Sequence, residues 1–106
     1  MASMQKMMKD MQKMQRQMNQ MQEELHQTPF TGKASGGVVE ATVNGAGDLL
    51  SIRLDPEVVD PEDIEMLQDL IVTAVNDAIA TANRESEARM AELTKGLKMP
   101  GIPGLF

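Results

Sequence analysis

Apolar and polar residues alternate from residue 36 to residue 54, with a polar break in the middle of this stretch. Alternation at period two places one apolar row on one face of a β-strand. The break, residues 44–48, has the sequence NGAGD and supplies the Asn and Gly residues that a tight turn needs. The pattern therefore predicts a β-hairpin. Its apolar row comprises Val39, Ala41, Val43, Leu50, Ile52 and Leu54.

A long helix is predicted before the hairpin, over residues 3–27. Its apolar residues recur at alternating spacings of three and four, which is typical of a heptad seam. We expect this methionine seam to form a coiled-coil core, although Met-rich surfaces also serve as adaptable partner-binding sites. Pro29 ends the helix, and Phe30 to Ala34 form a candidate edge strand. The seam comprises Met4, Met7, Met11, Met14, Met18, Met21 and Leu25.

Two Asp-Pro pairs follow the hairpin, at residues 55–56 and 60–61. Asp followed by Pro is typical of a helix cap and a first helical residue, so we expect a short turn and then a second helix over residues 61–95. The first half of this helix has a wide apolar face, which is suited to covering the sheet, and its second half has a narrow stripe. The wide face comprises Ile64, Leu67, Leu70, Ile71, Ala74, Val75, Ala78 and Ile79.

These elements predict a single α+β domain with a small antiparallel sheet. The first helix approaches the sheet and the second leaves it, so their outer parts become antiparallel neighbours in a projecting arm. A β-meander is expected at residues 28–54. The last residues, 96–106, are rich in Gly and Pro and are expected to form a flexible tail after the second helix. A small sheet also leaves an edge and an apolar face uncovered in one protomer, which predicts a homodimer joined through the β-region.

Composition excludes several classes of protein and site. The 106 residues contain no Cys, which excludes disulfides and cysteine-based zinc sites. No apolar run approaches the ~20 residues of a membrane span, and the N-terminus is too polar for a secretory signal, so a cytoplasmic location without membrane contact is expected. The acidic stretch at residues 55–69 lacks the central Gly of a calcium-binding loop.

The chain carries no recognisable catalytic motif. One His and no Cys leave few nucleophile–base pairs, and Gly45-Ala46-Gly47 lacks both the third glycine and the following helix of a nucleotide-binding loop. We therefore expect no enzyme activity, no cofactor, no metal and no small-molecule substrate. His26, at the end of the first helix, is expected to be an exposed or capping residue, since no second His is present to share a metal.

Charge is distributed unevenly along the chain. The net charge is −6, yet the segment from residue 55 to residue 77 contains eight acidic residues and no basic one, so both ends are basic relative to the centre. In the first helix, Lys6, Lys9, Lys13 and Arg16 recur on the face away from the methionine seam. Such a row is either an ordinary solvated helix face or a set of contacts for nucleic-acid phosphates.

Several segments resemble the YbaB/EbfC family of bacterial nucleoid-associated proteins. The similarity is carried by GGVV at residues 36–39, VNGAG at residues 43–47 and LQDLIVTAVNDA at residues 67–78, and it extends over nearly the whole chain. The resemblance implies an α-β-β-β-α protomer, a tweezer-like homodimer with paired helices as its prongs, and binding to double-stranded DNA in the nucleoid. It implies no catalytic activity and an expected influence on nucleoid organisation and gene expression.

The family resemblance also implies DNA contacts from the N-terminal and C-terminal helices. Charge and helix face select the candidates within those helices, and Arg84 and Lys95, eleven residues apart, share a face. The alternative function is a protein-interaction module whose Met-rich arm holds helices of partner proteins. The DNA-binding candidates are Lys6, Lys9, Lys13, Arg16, Arg84, Arg89 and Lys95.

Overall fold

Two long helices flank a three-stranded antiparallel sheet in the order β1-β2-β3. The computed structural model describes residues 2–96, with side chains from residue 3 to residue 94. The predicted α+β class and the α-β-β-β-α order are confirmed, whereas the predicted tail from residue 97 onward lies outside the described residues. The elements are α1 (Ala2–Gln27), β1 (Pro29–Ala34), β2 (Val39–Asn44), β3 (Leu49–Leu54) and α2 (Ile64–Gly96).

The second helix starts later than the prediction of residue 61, because Asp60 caps a separate turn. The Asp60 carboxylate accepts the N–H of Glu62 at 3.0 Å. Asp63 then accepts the N–H of Met66 at 3.2 Å, which is the bond that a helix-capping side chain makes to the third helical residue. The prediction placed the cap one turn too early, and α2 begins at Ile64.

The predicted hairpin is present, and the side chain of Asn44 organises its turn. The Asn44 amide oxygen accepts the N–H groups of Ala46 and Asp48, both at 3.0 Å, and Asn44 is only 4% exposed. The positive φ of +89° at Gly47 is accommodated because glycine has no Cβ. An irregularity between Thr42 and Val43 shifts the pairing of the two strands within the hairpin.

The hairpin turn also holds the end of α1. The Gly45 N–H donates to the Leu25 carbonyl at 2.7 Å, which gives this acceptor in the last turn of the helix a partner on the sheet. A Cβ at position 45 would lie 2.7 Å from the Leu25 Cβ, so only glycine permits this approach. Leu25 itself is buried in the core. The first helix is therefore fixed to the turn between β2 and β3.

The core lies between α2 and one face of β1 and β2. Small residues on α2 allow its backbone to approach the sheet closely, and a Cβ at Gly32 would lie 2.6 Å from the Ala78 Cα. The Asp77 carboxylate also accepts the Lys33 N–H at 3.0 Å, so the same helix occupies a donor on β1. The buried apolar residues are Leu25, Phe30, Ala34, Val39, Ala41, Val43, Ala74, Ala78 and Ala82.

The third strand is largely uncovered in the protomer. Five of the six residues of β3 are exposed, although Ile52 and Leu54 pair with the fully buried Ala41 and Val39 of β2. Ile64, predicted to cover the sheet, is 48% exposed. The wide apolar face of α2 is thus longer than the part of the sheet that it covers.

The two helices form an arm that gives the protomer dimensions of 73 × 26 × 16 Å. Along the methionine seam, Met14, Met18 and Met21 are half-buried, and Leu25 is buried. The expectation that the whole seam is a core is wrong for its first three members in the protomer, since Met4, Met7 and Met11 are 63–72% exposed. Neither described helix is long and apolar enough to cross a membrane.

Candidate nucleic-acid interface

Four basic side chains form a row along the exposed side of α1. Lys6, Lys9, Lys13 and Arg16, which we name the cationic stripe, are all exposed. Ten residues of helix separate the first from the last, so the stripe is about 15 Å long. Within the described part of the chain, the only ion pair joins Arg53 to Glu40, and these four cations therefore face solvent.

The basic candidates on α2 lie in different environments. Arg84 is exposed, whereas Arg89 is half-buried and its guanidinium carbon lies 5.7 Å from the centroid of the Phe30 ring. A cation at this distance is attracted to the face of the ring. Residue 95 belongs to α2, but the Lys95 side chain lies outside the described residues. The structure thus brings the α1 candidates into one row and gives Arg89 a packing contact within the protomer.

Arg53 is a basic residue that the sequence analysis did not consider. It lies opposite Glu40 in the register of β2 and β3, and the two side chains form a hydrogen-bonded ion pair. The hydrogen bond from Arg53 lowers the pKa of the Glu40 carboxyl and raises the pKa of Arg53. The register of the predicted hairpin was the signal that would have identified this pair. Its positive charge is already compensated by Glu40.

The eight acidic residues of the segment from residue 55 to residue 77 lie at the opposite end of the protomer from the cationic stripe, whereas Asp10 lies within the stripe's span of α1. These eight occupy the segment after β3 and the first half of α2, next to the sheet. A shallow depression of about 370 Å³ at the start of α2 is lined by Asp63, Glu65 and Asp69 together with apolar residues. Carboxylates repel phosphate groups, so this end is unsuited to DNA contact. The described residues contain no group of three His, Cys, Asp or Glu side chains arranged to hold a metal.

The chain is similar in sequence to known bacterial proteins over nearly its whole length. Residues 1–97 match the model of the YbaB/EbfC DNA-binding family. A nucleoid-associated protein of Bacillus cytotoxicus is 52% identical over 106 residues, which cover 100% of this chain and 95% of that protein. A nucleoid-associated protein of a Geobacillus species is 53% identical over 102 residues, covering 96% of this chain and 94% of the relative.

A solved structure has the same fold. The crystal structure of an uncharacterized protein from Helicobacter pylori superposes with a TM-score of 0.68 at 25% sequence identity. The match covers 79% of this chain and 88% of the other. The helix–sheet–helix architecture is therefore shared at low sequence identity.

Proposed function

Because the chain belongs to the YbaB/EbfC DNA-binding family, we propose that it binds double-stranded DNA as a homodimer on the bacterial nucleoid. In this proposal the protein is cytoplasmic and non-catalytic, and it uses no cofactor, metal or small-molecule substrate. Its relatives in Bacillus, Geobacillus and Clostridium are named nucleoid-associated proteins, which supports the proposed location.

The cationic stripe is the single observation that supports DNA contact most directly. The four exposed cations extend over about 15 Å. A DNA duplex aligned parallel to α1 presents roughly nine phosphate charges over the same length, so each cation can contact a phosphate. The stripe lies on the part of α1 that is remote from the acidic segment at residues 55–77, and Asp10 is the one acidic residue within its span. This separation of charge reduces the repulsion expected from a net charge of −6. Arg84, Arg89 and Lys95 remain proposed secondary contacts.

The uncovered side of the sheet supports the proposed homodimer. On β3, Leu49, Leu50 and Ile52 are 38–56% exposed, and on α2 the side chain of Ile64 is 48% exposed. A second copy of the chain placed there would remove this apolar surface from water. At the other edge of the sheet, Asp77 already occupies the Lys33 N–H. The contact is therefore assigned to the β3 side, with two arms projecting as prongs.

The experiment that tests DNA binding compares two single charge reversals. Lys13→Glu lies in the cationic stripe, and Lys33→Glu is an equally large charge change at an exposed position on β1. Gel shifts on duplexes of several sequences at two salt concentrations should show weaker binding for Lys13→Glu and near-normal binding for Lys33→Glu. Equal losses for both variants would show that net charge, rather than the stripe, controls binding.

The exposed methionines favour one second candidate function. Met4, Met7 and Met11 lie on a surface that suits capture of an apolar helix from a partner protein. Salt separates the two functions, because phosphate contacts weaken steeply as salt rises whereas apolar contacts do not. Partner binding that persists at high salt together with absent DNA binding would support this second candidate.

A further inference from the structure

Four exposed methionines lie together in the first half of α1. Three of them belong to the methionine seam and are 63–72% exposed, and the fourth, Met8, lies beside the seam and is 61% exposed. A heptad seam accounts for methionines at positions 4, 7 and 11 but not at position 8. An apolar contact along the seam would therefore leave Met8 without a role. We name these residues the thioether cluster, and it comprises Met4, Met7, Met8 and Met11.

Helix geometry places the sulfur atoms of the cluster within reach of one another. Met4 precedes Met7 by three residues and Met8 by four, and Met11 follows the same two residues by four and three. Side chains at these spacings are neighbours on a helix, with Cβ atoms about 5–6 Å apart. Because each sulfur lies two bonds beyond its Cβ on a flexible, unbranched chain, three sulfurs can converge on one point. Two such triads exist, and both contain Met7 and Met8.

The chemistry of thioether sulfur determines the class of ligand that the cluster suits. Thioethers are soft, uncharged donors that select Cu(I), whereas carboxylates suit magnesium, calcium and manganese. The chain has no Cys, and its one histidine, His26, lies fifteen residues of helix beyond Met11, at about 22 Å. Within the part of the chain that the structure describes, no group of His, Cys, Asp or Glu side chains is arranged to hold a metal. The cluster therefore faces no competing site among those residues.

Exposure and local charge both permit a cation to enter the cluster. The four side chains are accessible to solvent, so an ion can reach the sulfurs without any opening of the fold. Asp10 is exposed and lies three residues after Met7, where its carboxylate supplies a negative charge beside the cluster. Lys9 is two residues from Met7 and thus about 200° away around the helix, so the cationic stripe points in the other direction.

We propose that the thioether cluster binds one Cu(I) ion through three of its four sulfurs. The ion keeps its oxidation state, and only sulfur–metal bonds form. A contact with an apolar helix would use the same surface but would tolerate leucine in place of methionine, whereas metal binding requires the sulfur. The proposal does not depend on DNA binding, and its test contains no DNA.

Methyl NMR of full-length protein with labelled methionines locates the metal. Ag(I) serves as the probe, because it has the charge and the preference for sulfur of Cu(I) but is not readily oxidised. One equivalent should shift the methyl signals of the cluster and leave those of Met18 and Met21 in place. Zn²⁺ at the same concentration should shift none of them, since its usual ligands are Cys, His and carboxylates. Similar shifts of all methionine signals with Ag(I) would overturn the proposal.

Paired leucine variants test whether the sulfurs of the cluster hold the ion. Met7→Leu with Met8→Leu removes the two sulfurs shared by both triads, and Cu(I) affinity should fall at least tenfold. The control, Met18→Leu with Met21→Leu, removes two sulfurs from the half-buried part of the seam and should change affinity less than twofold. Leucine keeps the helix propensity and approximate size of methionine, and circular dichroism verifies the helix content of both variants.

Anaerobic competition with a chromogenic Cu(I) chelator measures these affinities. Equal losses in the two paired variants would overturn the proposal, as would full affinity in the variant lacking the sulfurs of Met7 and Met8. His26→Ala provides a further check, because histidine is the other residue type of this chain with a ligand suited to copper. We expect it to leave Cu(I) affinity unchanged, and a tenfold loss would move the site to the end of α1.

Discussion

Ala41 and Ile52 are paired across β2 and β3, yet Ala41 is fully buried and Ile52 is 38% exposed. Both side chains belong to the same apolar row of the sheet, because directly opposed residues of neighbouring strands point to the same face. The difference arises because α2 lies over β1 and β2, whereas β3 lies beyond the helix. The row therefore continues from a covered region into an uncovered one.

Replacing Ile52 by Asp should disrupt the proposed homodimer, since the new carboxylate would be buried without a partner at the contact between copies. We expect sedimentation at micromolar concentration to show monomer. Ser51→Asp is the control, because Ser51 is exposed and lies on the opposite face of β3. A dimeric Ile52→Asp variant would place the contact elsewhere. Val43→Asp, at a fully buried position, should instead unfold the protomer, as measured by circular dichroism.

Reversing the charge of Lys9, Lys13 and Arg16 together should abolish DNA binding without changing the oligomeric state. The loss should be similar on every duplex, because phosphate contacts carry no sequence information. For the unmodified protein, four to eight phosphate contacts per dimer give a slope of log affinity against log salt of roughly −4 to −7. Binding retained by the triple variant would exclude the stripe, and a loss on one duplex alone would indicate base recognition from α1.

Arg89 and Arg84 should differ in their effects on stability. Arg89→Ala removes the cation from the Phe30 ring and should lower the free energy of unfolding by about 1 kcal/mol, whereas Arg84→Ala should leave it nearly unchanged. Urea denaturation of both variants measures the difference. Equal stabilities would show that the Arg89 contact contributes little, and DNA-binding assays on the same proteins test the proposed contacts.

Adding one methyl group at Gly32 should destabilise the protomer strongly. The Cβ of Gly32→Ala would lie 2.6 Å from the Ala78 Cα, so α2 must move away from β1 at a cost of about 1–3 kcal/mol. Thr31→Ala, at the adjacent exposed position, is expected to cost less than ~1 kcal/mol. Thermal unfolding compares the two, and equal losses would mean that the sheet and helix adjust easily.

Removing the hydroxyl of Ser86 should stabilise the protein. The Ser86 Oγ is buried and has no hydrogen-bond partner among the described residues. Ser86→Ala eliminates this unsatisfied group and should raise the free energy of unfolding by about 1 kcal/mol. Thr73→Ala, at an exposed position of α2, corrects for the higher helix propensity of alanine. A loss of stability specific to Ser86→Ala would indicate an unrecognised partner for the hydroxyl.

Local sequence patterns predicted the helices and strands well, because the alternation of apolar residues and the presence of turn-forming residues each involve only a few neighbouring positions. The buried row at residues 39, 41 and 43 and the Asn44 turn follow directly from such patterns. The predicted start of α2 was wrong because the sequence contains two suitable helix caps, Asp60 and Asp63. In the structure Asp60 closes a separate turn, and Asp63 caps the helix.

These local patterns could not predict contacts between segments that are distant in the sequence. The Arg89–Phe30 contact joins residues far apart in the chain, so helix spacing carries no signal for it. The open part of the methionine seam has a related cause, since the heptad pattern gives the length of α1 and says nothing about where its neighbour ends. The cationic stripe could be placed on one helix face from sequence, but its distance from the acidic residues depends on the fold.

The bond between Gly45 and Leu25 has a consequence for the mechanics of the proposed tweezers. Thr28 adds two further bonds there, its N–H donating to the Leu25 carbonyl at 3.1 Å and its hydroxyl to the Glu24 carbonyl at 2.6 Å. The junction between α1 and the sheet is thereby braced and lacks a free hinge. The gap between two prongs would then be set by the angle at which the two sheets meet, and a duplex of a different width would be accommodated by a change at the β3 contact.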